Sequence, residues 1–166
     1  MPGVVTPENA VLVQGTPLVE ELICKTPTNC TPGVLVTRDT DDDHFKVCQP
    51  TDTPLGWLDT SYKYGIGDTY EADQPARILK GDIFVRAILA AGENVTKGDY
   101  LTIAADGRVK KASPLAVQAG TTSVTSTAAN GQILEGGVPP EIIVAQAEQS
   151  VDATAGEAAI VVRSLI

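Results

Sequence analysis

Residues 81–112 read GDIFVRAILAAGENVTKGDYLTIAADGRVKKA, and the spacing of apolar side chains in this stretch decides the fold class. From Asp82 to Ala90, Ile83, Val85, Ala87 and Leu89 face one way, and Phe84, Arg86 and Ile88 face the other. That period of two belongs to a half-buried strand. Ala91-Gly92-Glu93-Asn94 ends it, Thr96-Lys97-Gly98-Asp99 makes a second turn, and Tyr100–Ala104 is another strand. Asp106-Gly107 then signals a hairpin, because glycine accepts a positive φ without a β-carbon clash.

The pattern extends in both directions. Toward the C-terminus, Leu115–Ala119 continues the meander, TTSVTSTAANG reads as a polar surface loop, Gln132–Glu135 as a short strand, and Gly136–Pro140 as a firm break. EIIVAQAEQSVDA fits both a strand face and a helical stripe and is read as strand. AAIVVRSLI is a strand in which Ala159, Val161, Arg163 and Leu165 oppose Ile160, Val162 and Ser164.

Toward the N-terminus, residues 1–23 read as an arm. Val11–Ile23 holds two apolar runs split by Gly15-Thr16-Pro17, an arm or edge strand able to pair with a neighbouring sheet. Residues 24–75 form a loop-rich β region or small lobe, with Val34–Val36 as a strand, Arg38–Asp43 as a charged turn, and Pro54-Leu55-Gly56-Trp57 at its centre. The barrel-like core is placed at residues 76–166. The fold class is mainly β, a small β-barrel or sandwich with an extended arm.

Composition supports this. Fifteen Gly and eleven Pro break up helices more than short strands, and 43% hydrophobic residues in a chain of 166 suffice for one main core. The net charge of −9 opposes attraction to nucleic acid and to anionic membranes. No run approaches the roughly 20 apolar residues of a membrane span, and MPGVVTPENA lacks the features of a secretory leader, so the expected origin is cytoplasmic. The sequons at Asn29 and Asn94 carry little weight in that setting.

The residues point to no catalytic, cofactor or metal site. His44, the sole histidine, sits in RDTDDDH without a nucleophile elbow or an EF-hand spacing, so the stretch reads as a solvated acidic turn. Gly65-Ile66-Gly67 lacks the rest of a dinucleotide motif, and no phosphate loop occurs. Lys110-Lys111 reads as ordinary solvent-facing charge. Cys24, Cys30 and Cys48 are either three reduced thiols or include a Cys24–Cys30 bridge closing a Pro-containing loop. Trp57 either covers a small core beside Leu55 and Tyr62 or anchors a contact with another subunit.

With its Ala91-Gly92-Glu93, Gly98-Asp99 and Asp106-Gly107 turns, Gly81–Ala112 resembles the barrel core of the small capsid decoration (head-stabilising) proteins of tailed phages and related viruses. Ala145–Ile166 is similar to that family's closing strand pair. The resemblance implies a non-enzymatic protein, most simply a trimer, bound to the major capsid protein on the exterior of an icosahedral shell assembled in the host cytoplasm. It would stabilise that shell as cement. The alternative is a capsid fibre or turret module that binds glycans or a host surface, with Trp57 and Tyr62–Tyr70 as the sugar-facing platform.

Overall fold

The computed structural model describes residues 10–113 and 141–166. Its strands, in chain order, begin with β1 (Leu12–Gln14), β2 (Leu18–Cys24), β3 (Leu35–Arg38), β4 (His44–Val47), β5 (Gly56–Leu58) and β6 (Pro75–Lys80). They continue with β7 (Phe84–Leu89), β8 (Asn94–Val95), β9 (Tyr100–Ile103), β10 (Val109–Lys111), β11 (Ile143–Ala147), β12 (Val151–Asp152) and β13 (Ala158–Ser164). No α-helix occurs among the described residues.

The strands close into two barrels. The first runs β1-β7-β10-β9-β11-β13 and closes where β13 returns to β7, from Ala158 opposite Leu89 to Arg163 opposite Phe84. The other side of β7 is shared: β1 pairs with its start, Leu12 opposite Val85, and β10 with its end, Val109 opposite Leu89. Ile83, Val85, Ala87 and Leu89 are all buried, as the alternation requires, and so are Ile160, Val162 and Ser164 of the closing strand. The three turns behave as their residues dictate. Gly92 and Gly98 adopt positive φ, and Asp106 and Gly107 form a left-handed step inside a short 3-10 turn joining β9 to β10.

The second barrel, β2-β4-β3-β5-β6, is inserted between β1 and β7 and closes by β2 pairing with β6 from Leu18–Lys80 to Ile23–Pro75. Pairing therefore divides the chain differently from the sequence reading. Leu12–Gln14, read from the nearby proline as an arm or edge, is an edge strand paired with β7 alone, whereas Leu18–Cys24, read the same way, is a barrel strand paired on both sides, and β6 belongs to the inserted barrel rather than to the C-terminal core. Pro17 is tolerated because it falls in the link between the barrels, where no ladder donor is needed. Of EIIVAQAEQSVDA, Ile143–Ala147 is a strand paired on both sides, and Val151–Asp152 is a separate short strand against β8. The readings of Leu115–Ala119, the polar loop after it, Gln132–Glu135 and Gly136–Pro140 lie outside the described residues.

The seam between the barrels is apolar. Successive residues of three strands point alternately into the inserted barrel and out into the other barrel's core. Val36, Leu58 and Ile78 point in; Leu35, Trp57 and Leu79 point out and pack in one cluster with Ile83 and Val85. The Trp57 indole Nε1 donates to Ser164 Oγ at 3.0 Å across the seam. Backbones approach closely here. A β-carbon on Gly107 would lie 2.3 Å from the Leu35 carbonyl oxygen, and Gly107 N donates to Cys48 O at 2.7 Å. On the seam's other flank, a β-carbon on Gly33 would lie 2.8 Å from Arg86 O.

Candidate functional site

The acidic turn before His44 is laced by local pairs. His44 Nδ1 lies 2.7 Å from Asp43 Oδ1 and 3.9 Å from Asp41 Oδ2, while Lys25 Nζ lies 2.6 Å from Asp41. The Lys25 ammonium holds the Asp41 carboxyl below its ordinary range. Among the described residues no three His, Cys, Asp or Glu side chains converge as a metal set. Lys110 and Lys111 also have local partners, Glu141 at 4.0 Å and Asp99 at 2.8 Å.

The aromatic residues are turned inward. Trp57, Tyr64 and Tyr70 are buried; Tyr64 and Tyr70 stack with ring centroids 4.4 Å apart, and Tyr70 Oη donates to Asp59 O at 2.9 Å. Burial beside them pushes the Asp59 carboxyl up. Of this group only Tyr62 is fully exposed. Trp57 is thus a core residue, as its packing reading had it, but it lies against the other barrel rather than beside Tyr62. A sugar platform built from Trp57 and Tyr62–Tyr70 is not presented to solvent.

The exposed apolar side chains gather elsewhere. Leu18 is 73% exposed and Leu165 46%, and Val19, Ile142 and Ile143 are exposed with them. The backbone brings these residues to one end of the seam. Leu18 pairs opposite Lys80, Gly81 N next along donates to Ile166 O at 2.7 Å, and Leu165 N donates to Val144 O at 2.9 Å. A shallow groove of about 300 Å³ lies here, lined by Gly81, Asp82 and Arg163–Ile166. Arg163 grips Asp82 through two bonds, Nε to Oδ1 at 2.8 Å and the terminal nitrogen to Oδ2 at 2.7 Å, so this charge pair is satisfied. Apolar side chains left exposed on both barrels are the kind of surface that macromolecular contacts use. Sequence reasoning placed Leu165 and Ser164 on opposite faces of the last strand but had no means of bringing the Leu165 segment to the Leu18–Lys80 pair.

Residues 2–137 match the family model described as XM1 gp53 minor capsid protein. The chain belongs to the XM1 gp53 minor capsid protein family. As a minor capsid protein it is a non-catalytic viral structural protein of the virion, with its partners among the capsid components. This is coarser than the decoration-protein resemblance and does not single out that role. No curated protein matches the chain. Among solved structures, the minor capsid protein is similar to the head fiber gp8.5 N base of bacteriophage phi29, with a TM-score of 0.52 and 10% identity. That likeness covers 90% of this chain and 94% of the phage chain and is a likeness of fold. No helix among the described residues is long and apolar enough to cross a membrane.

Proposed function

We propose that this minor capsid protein is the capsid-proximal base of a head-attached fibre or turret. In this reading it is a rigid two-barrel body seated on the exterior of the shell against the major capsid protein and assembled there in the host cytoplasm. The observation that carries the reading is the fold shared over nearly the whole chain with a phage head fibre base. The protein functions as a closed homo-oligomer, most simply a trimer, because the exposed apolar residues Leu18, Val19, Ile142, Ile143 and Leu165 are better covered by a finite ring than left in water. Nothing in this work requires chemistry; position and stiffness are enough.

A second reading, shell cement, is favoured by the presence of exposed apolar residues on both barrels, Leu18 and Val19 on one and Ile143 and Leu165 on the other, which suits the protein to lie over a subunit boundary. The two readings separate by heating. Capsids with and without the protein are compared for the temperature of genome release, and the particle is imaged by electron microscopy. A fibre base appears as discrete projections and leaves the release temperature unchanged. Cement raises that temperature, because binding only the assembled lattice lowers its free energy. Absence of the protein from purified particles overturns both readings.

A further inference from the structure

We propose that Cys24 and Cys30 are a latent disulfide, a pair held reduced but juxtaposed in the inserted barrel and closed by a low-molecular-weight disulfide such as oxidised glutathione. The case starts from the backbone. Cys24 ends β2, its N–H donating to Gln74 O at 2.9 Å and its carbonyl accepting from Asp73 N at 2.7 Å. Cys30 accepts from Tyr70 N at 2.9 Å and donates to Pro27 O at 3.2 Å. Both cysteines are therefore pinned to the same connection, residues 70–74, and their side chains share one fully buried cluster. The Cys30 thiol donates to Thr26 O at 3.0 Å, inside the short segment that links the two cysteines.

The surroundings of the two thiols divide the roles. Hydrogen bonding from Cys30 holds the Cys24 thiol below its ordinary range, against burial and the Asp73 charge, while Cys30 is pushed up. Cys24 is the first nucleophile. Its thiolate attacks one sulfur of the glutathione disulfide, forming a mixed disulfide and expelling one glutathione thiolate. Cys30 then gives its proton to water and attacks the Cys24 sulfur, expelling the second. Two protein thiols are oxidised and one disulfide is reduced to two glutathione thiols. Lys25–Thr28 between the cysteines is exposed, so the reagent reaches the pair when this short segment opens, without unfolding the barrel. Cys48 takes no part. It lies in the other cluster, and burial pushes its thiol up to about 12.

The test treats native, reduced full-length protein with oxidised glutathione, then quenches, denatures and counts thiols. The expected count falls from the three cysteines of the chain to one, with a mass loss of about 2 Da. Trypsin, cutting after Lys25, then yields peptides joined only through Cys24 and Cys30 and separated by reduction. The closed ring raises the thermal midpoint by about 5 °C. The Cys48→Ser variant gives a second reading, its two thiols falling to none. Retention of every thiol in the folded protein, a persistent glutathione adduct, or a bridge that includes Cys48 each overturns the proposal.

Discussion

The two barrels differ in what their outer faces meet. In the C-terminal barrel, β13 buries Ile160, Val162 and Ser164 inward and leaves Ala159 and Arg163 to solvent. In the inserted barrel, β3, β5 and β6 are covered on both faces: Leu35 and Val36, Trp57 and Leu58, and Ile78 and Leu79 are all fully buried. The inserted barrel packs the large side chains Phe45, Tyr64 and Tyr70 in its own cluster. It needs the other barrel as a cover for its outward apolar residues, which would otherwise be hydrated. At about 1.5–3 kcal/mol for each large side chain, burying Leu35, Trp57 and Leu79 is a large fraction of a domain's net stability.

The strongest way to break this relation is to remove residues 1–24. That deletes β2, which joins β4 to β6, so the inserted barrel has no closure. Hydrogen exchange is expected to show residues 35–80 losing protection while the β7–β13 ladder keeps most of its own. Protected amides throughout the inserted barrel would show that the ring does not need β2.

A smaller intervention acts on the seam alone. Gly107→Ala places a methyl group 2.3 Å from Leu35 O at a residue whose φ is +69°, so the backbones must part. The expected cost is about 3 kcal/mol, with one urea transition expected for the parent and two for the variant. An unchanged midpoint would mean that the seam is soft.

The smallest effect sharpens the account of the inserted barrel's mouth. Glu20 on β2 is paired with Lys80 of β6 and Arg38 of β3, and the Lys80 hydrogen bond is the main reason its carboxyl sits below the ordinary value of 4.5. A depressed carboxylate pKa stabilises the fold above the unfolded value, and the benefit is lost as pH falls through the folded one. Glu20→Gln is therefore expected to lower stability by about 1 kcal/mol at neutral pH, since the pair is half in solvent. The gap between parent and variant should close on acidification below 4.5. A gap that persists in acid would locate the loss in packing instead.

The same contrast explains what could be read in advance. Strands with one wet face announce themselves by alternation, so β7 and β13 were legible residue by residue, and the left-handed step at Asp106-Gly107 was legible from turn chemistry. Strands buried on both faces show adjacent apolar residues, as in Val34-Leu35-Val36 and Trp57-Leu58, a pattern that does not say which neighbour covers each face. That is why the inserted barrel read as a loop-rich lobe, and why Trp57 was assigned to Tyr62 rather than to Ser164, more than a hundred residues away. The convergence at this end of the seam was hidden for a related reason. The Leu18–Lys80 pair meets the last residues of the chain through the bond from Gly81 to Ile166, which no local pattern encodes.

The insertion gives the molecule a mechanical character. The chain enters the second barrel after Gln14 and leaves it before Phe84, and these two residues face each other in the β1–β7 pair. A bending load on the inserted barrel is therefore carried by two struts rooted in one ladder, with Trp57–Ser164 and the Gly107 contact as cross-braces. A single tether would act as a swivel; paired struts resist twist, and any pull is delivered to β7, which is held by β13 along its whole length.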